Sequence, residues 1–331
     1  MKKNKQYLKF ILILSFLGFF LFLLGKNIFP IEKESDGKKL VLSEEIKDQV
    51  FQEEKELSKK ASVLFVGDVM LDRYIRTVAK KNGYDFLLQD SQNILQKSDA
   101  VVMNLEGPIT ENPSRSEKSA IGSRDNYYFT FDPMSVSFLL KYNMRIAHLG
   151  NNHIGNFGNE GIRSTQNYLE KNSLDYFGAL DEIAGKTTFR KNIQGVMLSF
   201  VSYNQFSSFS LQETLFHIRE ERKQSDFVIV YTHWGEEYKT ISNQKQKEFA
   251  HAFIDEGADL IIGSHPHVIQ EKEVYKGKTI YYSLGNFIFD QYFDTSVKKG
   301  LVVNVMFDKE KKSIEIKEFP VSMKETGVTS L

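Results

Sequence analysis

The chain contains no cysteine. Disulfides, thiolate metal sites and a cysteine nucleophile are therefore excluded, and any metal chemistry falls to His, Asp, Glu and Asn. It also lacks an excess of charge of either sign: 43 Lys and Arg face 43 Asp and Glu, a formal net charge of +0. Polyanion-binding surfaces carry a basic excess, so nucleic acid is not an expected partner. Internal repeats and low-complexity tracts are missing as well. Against these absences, 41% of the 331 residues are apolar, which excludes wholesale disorder. The length suits one large α/β domain or two small ones.

One long apolar run stands near the start. Residues 10–25, FILILSFLGFFLFLLG, follow Lys2, Lys3, Lys5 and Lys9 and precede Lys26. A bilayer-spanning helix needs about 20 residues, a length the run reaches when its neighbours join and the flanking lysines snorkel. Positive charge lies mostly ahead of the run, which keeps the N-terminus cytoplasmic and sends the rest outward. The residues that follow, KNIFPIEKES, show no small-x-small cleavage site, so an uncleaved anchor is preferred to a cleaved signal peptide. The expected organisation is a cytoplasmic tail at 1–6, a single-pass cell-membrane anchor at 7–27, a Lys- and Glu-rich stalk at 28–60, an extracellular domain at 61–322 and a C-terminal tail at 323–331. The stalk is either a partly helical spacer or a solvated helix lying on the domain.

From Ser62 onward, short apolar runs alternate with amphipathic stretches. SVLFVG, AVVMNL, RIAHLG, VMLSFVSY, FVIVYTH and LIIGS have strand character. Helical periodicity covers 86–96, 134–142, 161–171, 211–222 and 244–256. That alternation argues for α/β layers. The last third, with VIQEKEVY, KTIYYSLG, LVVNVMF and SIEIKEFP, reads as antiparallel hairpins. Two sheets flanked by helices satisfy both halves.

The informative polar residues come at the ends of those strands. Asp68 follows SVLFVG, Glu106 follows VVMNL, Asn152 and His153 follow RIAHLG, His233 ends FVIVYTH, and His265 and His267 follow LIIGS. Ligands of open α/β sheets bind at the carboxyl ends of strands. These residue types suit a borderline or hard divalent cation, Mn, Fe, Zn or Mg. In an extended HPH segment both imidazoles would face one way, and Pro266 would stiffen it. Gly67 before Asp68 would let the backbone turn sharply and approach a ligand. His148, inside a strand, reads as a core residue or a support to the site, and His217 and His251 read as ordinary helix residues. The polar loop 111–126 adjoins Glu106 and would border a substrate groove or form plain surface.

In order and spacing, GDVMLDR (67–73), NLEGPIT (104–110), LGNNHIGNFGNEG (149–161), THWGEEY (232–238), GADLIIGSHPHVIQ (257–270) and YYSLGNFIFDQ (281–291) resemble the CapA family of poly-γ-glutamate capsule synthesis proteins, which in turn resembles the calcineurin-like metallophosphoesterases. The resemblance implies a four-layer αββα sandwich behind the membrane helix and a two-metal centre. It assigns metal contacts to Asp68, Glu106, Asn152, His233, His265 and His267, and catalysis to His153. Arg73 is a candidate for holding a phosphate oxygen; Asn104, Asn286 and Asp290 are candidates for supporting or substrate contacts. Two departures stand out: Met70 replaces a metal-binding His, and Glu106 stands where Asp is usual. A thioether is a poor ligand for a hard cation. The implied activity is metal-dependent phosphoester hydrolysis in cell-envelope polymer synthesis. The implied partners are the capsule polymer or a phosphorylated precursor, and other membrane subunits. The alternatives are a non-catalytic subunit that binds or exports an anionic polymer, and a hydrolase or transferase acting on the polymer's amide or ester bonds. Ligands alone do not name the bond broken.

Overall fold

The computed structural model describes residues 59–178 and 186–330. The anchor expected at 7–27 and all but the end of the stalk expected at 28–60 lie outside them. Among the described residues no helix is long and apolar enough to cross a membrane.

In chain order the elements are β1 (Lys60–Val69), α1 (Arg73–Asn82), a 3-10 turn (Tyr84–Leu88), α2 (Gln92–Leu95), β2 (Ala100–Leu105), a second 3-10 turn (Arg124–Tyr127), α3 (Ser135–Lys141), β3 (Met144–His148), α4 (Gly158–Lys171) and β4 (Asp175–Phe177). Then come β5 (Thr188–Ile193), β6 (Val196–Asn204), α5 (Leu211–Arg222), β7 (Phe227–His233), α6 (Gln244–Glu256) and β8 (Leu260–Ser264). The chain closes with β9 (Lys272–Tyr275), β10 (Lys278–Tyr281), β11 (Asn286–Ile288), β12 (Lys299–Asp308), β13 (Ser313–Met323) and β14 (Thr329–Ser330).

These strands form two sheets. One runs β14-β13-β12-β1-β2-β3-β4, with β11 also on β1; the other runs β5-β6-β7-β8-β10-β9. Their order follows from side-chain alternation. Along β1, Val63 and Phe65 join Val102, Phe200, Tyr231 and Ile262 in the core between the sheets. Leu64 and Val66 point the other way, toward Val78, Leu139, Ile162 and Leu169 of the helices α1, α3 and α4. In the second sheet Val228, Val230 and Ile261 face Ile218 of α5 and Phe253 of α6. Strands buried on both faces explain why β7 and β8 read as continuous apolar runs. Capping boxes at Ser210–Glu213 and Asn243–Gln246 set the starts of α5 and α6.

The two-sheet α/β architecture read from the sequence is present, with differences in detail. β12 and β13 form the expected hairpin, and β9 pairs antiparallel with β10. However, β10 lies parallel to β8 and β11 parallel to β1. The domain does not end at 322: Met323 belongs to β13, and Thr329 pairs with it in β14. α1 and the short strands β4, β5 and β11 were not evident from sequence. The three-residue strands β4 and β11 carry too few alternations to show a period, and in the six-residue β5 the exposed run Arg190, Lys191 and Asn192 hides one.

One junction positions the site. β1 pairs with β12 from Lys60 to Phe65, then meets β11, placing Asp68 opposite Asn286. Here Gly67 serves another purpose than the sharp turn expected of it. It lies within β1, and a Cβ added to it would sit 1.9 Å from the carbonyl oxygen of Gly285. The residue is required because two backbones touch. Gly67→Ala is expected to cost at least the upper end of the roughly 1–3 kcal/mol typical of overpacked cores, measured by urea unfolding. Unchanged stability would show that the two strands do not approach this closely.

Candidate metal centre

The strand-end residues converge where the carboxyl ends of β1, β2, β3, β7 and β8 meet. Asp68, Glu106 and His233 are fully buried, and His265 and His267 nearly so. Ligand atoms of Asp68, Glu106 and His267 lie within 4.8 Å of one another. His267 Nδ1 is 3.2 Å from Asp68 Oδ2, and its Nε2 is 3.6 Å from Glu106 Oε1. Across the cleft, His233 Nε2 stands 2.9 Å from Asn152 Oδ1, and the His233 and His265 rings are 4.7 Å apart between centroids.

Several neighbours orient these groups. Asn104 Nδ2 donates to Asp68 Oδ1 at 2.8 Å and to Glu106 Oε2 at 3.3 Å. Its carbonyl oxygen faces His148 Nδ1 at 3.3 Å and accepts from Asn151 Nδ2 at 3.2 Å, so the amide is turned with its donors toward the carboxylates. Asn151, unremarked in sequence, also accepts the backbone N–H groups of His153 and Ile154. That is an Asx turn, and it aims the GNNH loop. Asn286 Oδ1 lies 2.9 Å from His267 Nδ1. His265 and His267 hold φ of 95° and 58°. The HPH segment is therefore a bend in the left-handed region, not the extended stretch expected, and its imidazoles converge through that strained backbone.

Arg73 and Asp290 form an ion pair at 2.5 Å, with the guanidinium between the rings of Phe129 and Phe289. Both residues line a cavity of about 590 Å³ that Ser116, Ile121 and Asn126 of loop 111–126 also line. Met70 is buried in the apolar core beside β1, and its sulfur accepts the Asp72 N–H at 3.0 Å. His217 and His251 lie outside the site; His251 bonds Glu273 at 2.7 Å. Glu237 is the residue that sequence reasoning passed over. Its carboxylate lies within 4.8 Å of ligand atoms of His265 and His267. It stood inside THWGEEY, but no strand-end argument reaches a loop residue four positions past β7.

Charge and burial are in tension here. Burial first, then Asp68, pushes the Glu106 carboxyl well above its ordinary range. Burial opposes charge on His267, yet Glu106 and Asp68 outweigh it and hold the imidazolium up to about 9. Burial disfavours charge on the Glu106 carboxyl, and a proton held on the neighbouring His267 offsets that cost. Burial, assisted by like charge on neighbouring imidazoles, lowers His153 to about 4 and His265 to about 3, and His233 falls well below its usual value for the same reasons. These rings are neutral at pH 7, the form that ligates. Glu106 Oε1 and His265 Nδ1 are buried with no hydrogen-bond partner. Orphaned acceptors of this kind fit a divalent cation. Ligands of one cation at about 2.0–2.2 Å lie about 3 Å apart, close to the spacing of His233 and Asn152.

His148 gives a pH test. Burial lowers its pKa to about 3, against about 6.5 in an unfolded chain. A depressed folded pKa means that its contribution is present above pH 6.5 and is lost as pH falls toward 3. Relative to His148→Gln, the wild type is expected to lose on the order of 2 kcal/mol between pH 7 and pH 5, read by urea unfolding at both. A stability gap independent of pH would contradict the buried neutral ring.

Comparisons with known proteins identify the family and the fold. The family model described as bacterial capsule synthesis protein PGA_cap matches residues 62–291. The PGA biosynthesis protein CapA of Bacillus subtilis is 33% identical over 73% of this chain and 66% of its own length. The capsule biosynthesis protein CapA of Bacillus anthracis is 29% identical over 74% and 64%. The chain thus spans just under two thirds of these curated relatives. A crystal structure described as a novel phosphatase from Mycoplasma pneumoniae shares the fold at 15% identity and a TM-score of 0.51, over 80% of this chain and 94% of that one.

Proposed function

The chain belongs to the bacterial capsule synthesis protein family, and from that premise we propose that it is a divalent-metal-dependent phosphoesterase acting in capsule or cell-envelope polymer synthesis. The observation that carries the reading is Glu106 Oε1, a buried carboxylate oxygen without a hydrogen-bond partner, facing His267 at 3.6 Å and His153 at 3.9 Å. Asp68, Glu106 and His267 would hold one cation; Asn152, His233 and His265 would hold a second beside it. When bound, such cations supply charge neutralisation and polarisation of a phosphoryl oxygen. The identity and number of ions belong to this proposal.

The chain's own residues supply the rest. Asp68 and Glu106 provide carboxylate oxygens, oriented by Asn104, which donates to both. His153, packed on Phe129 with ring centroids 4.4 Å apart, presents Nε2 where it can exchange a proton with a phosphoryl or leaving oxygen. Arg73 and Asp290 compensate each other in the wall of the 590 Å³ cavity, so Arg73 orients substrate rather than offering a free charge. That cavity suits a precursor larger than a simple phosphate. Incubated with Mn, the purified full-length chain should retain metal and cleave bis(p-nitrophenyl) phosphate or p-nitrophenyl phosphate; a protein that holds no metal and cleaves neither ends the enzymatic reading.

A second reading, a non-catalytic subunit that binds an anionic capsule polymer, is favoured by Met70. Its sulfur is engaged in the core and offers the centre no ligand. Metal retention together with poly-γ-glutamate co-sedimentation and no hydrolysis would select it. The membrane tether at 7–27, with the domain outside the cell, belongs to the same proposal and rests on the apolar run and its flanking lysines. N-terminal sequencing of the protein from membrane fractions tests it, and a start near Ser35 would remove it.

A further inference from the structure

We propose that Glu237 is a metal ligand at the second cation, beside His265 and facing His267, on the solvent side of the buried Asp68–Glu106–His267 triad. The inference rests on the metal-dependent reading above and adds a residue to it.

Three observations carry it. First, the ligand atoms of Glu237, His265 and His267 lie within 4.8 Å of one another, a spacing that one cation can bridge with small side-chain adjustments. Second, His265 Nδ1 is buried and has no hydrogen-bond partner, although the residue is only 5% exposed. A buried imidazole nitrogen short of a partner is a ligand in waiting, not a packed core residue. Third, the backbone that carries Glu237 is fastened to the site while its side chain remains exposed. The Tyr238 N–H donates to the Pro266 carbonyl at 2.8 Å, between the two histidines. Gln270 Nε2 donates to the Lys239 carbonyl at 2.9 Å. Gly235 exchanges two hydrogen bonds with Gln205, each at 2.8 Å. A surface glutamate with no task has no need of a backbone held on both sides.

Electrostatics gives the reason for a third carboxylate. Two divalent cations at close range repel strongly, and each anionic ligand offsets part of that repulsion. The buried triad brings two carboxylates, Asp68 and Glu106, while Asn152, His233 and His265 are neutral. Met70 adds no charge and no donor. Glu237 brings a negative charge to the side of the centre that has none. Because it is exposed, it can also yield to an arriving anionic group, which makes the outer site the more labile one.

Mn binding to the full-length chain by isothermal titration calorimetry tests this, alongside Glu237→Gln, which keeps the side-chain shape, and with circular dichroism confirming that the variant is folded. The wild type should bind two equivalents of Mn with unequal affinity. Glu237→Gln should keep the tighter one and bind the weaker at least about tenfold less tightly. Glu237→Asp should recover part of the loss. Two equivalents with unchanged constants in Glu237→Gln would overturn the role of Glu237 and leave the metal reading standing. A wild type that binds no Mn would overturn both, and one that binds a single equivalent insensitive to Glu237→Gln would overturn this inference alone.

Discussion

His153→Ala is expected to lower the turnover of a phosphoester by about 10²–10⁴-fold, the range that one positioned acid–base group contributes, while leaving Mn stoichiometry unchanged. The expectation comes from placement. His153 is held by the Asn151 side chain, which accepts its N–H, and by Phe129 beneath its ring. Its Nε2 stands 3.9 Å from Glu106, near enough to reach a group bound there without being packed against the carboxylates as His267 is. Burial keeps it neutral at pH 7, able to take up or release a proton during a reaction. Deleting the ring opens space against Phe129, so His153→Gln serves as a second variant that fills the volume. Loss of activity in both with metal retained assigns the residue to proton transfer. Full activity in His153→Gln would remove it from the chemistry.

Asp68→Asn is expected to weaken Mn binding by about 100-fold or more. Supporting residues that do not touch a metal already contribute about 10–100-fold, and Asp68 sits at the centre of the constellation. It receives Asn104 Nδ2 at 2.8 Å and the His265 N–H at 3.3 Å, and it lies 3.2 Å from His267. Replacing one carboxylate oxygen by an amide nitrogen puts a donor against donors and removes a charge. Calorimetry and metal analysis after dialysis measure the loss. Unaltered affinity would mean that the buried triad is an ion-pair network with a structural role and not a metal site.

These variants were chosen from residues visible in sequence, and that visibility has a physical basis. Strand periodicity is local, so SVLFVG, FVIVYTH and LIIGS announced themselves, and with them the polar residues at their ends. Motif order likewise pointed to the capsule synthesis family that the comparisons show. The long strands and the helices α5 and α6 were legible because buried faces and capping residues recur within one element. No helical period was read over α1, because two of its five buried residues, Arg73 and Arg76, are arginines and interrupt the apolar stripe.

By itself, then, the sequence determined the layer type, the family and the identity of most candidate ligands. Tertiary structure alone decided how they act together. The meeting of Asp68 with His267, nearly 200 positions apart in the chain, depends on β1 exchanging β12 for β11, which in turn depends on Gly67 touching Gly285. The turning of Asn104 depends on His148 and Asn151 behind it. The convergence of the HPH imidazoles comes from left-handed backbone at His265 and His267, a conformation that a residue pattern does not disclose. Glu237 emerged only because Tyr238 bonds Pro266. Each of these is a contact between distant segments, set by the packing of two sheets rather than by neighbours in the chain.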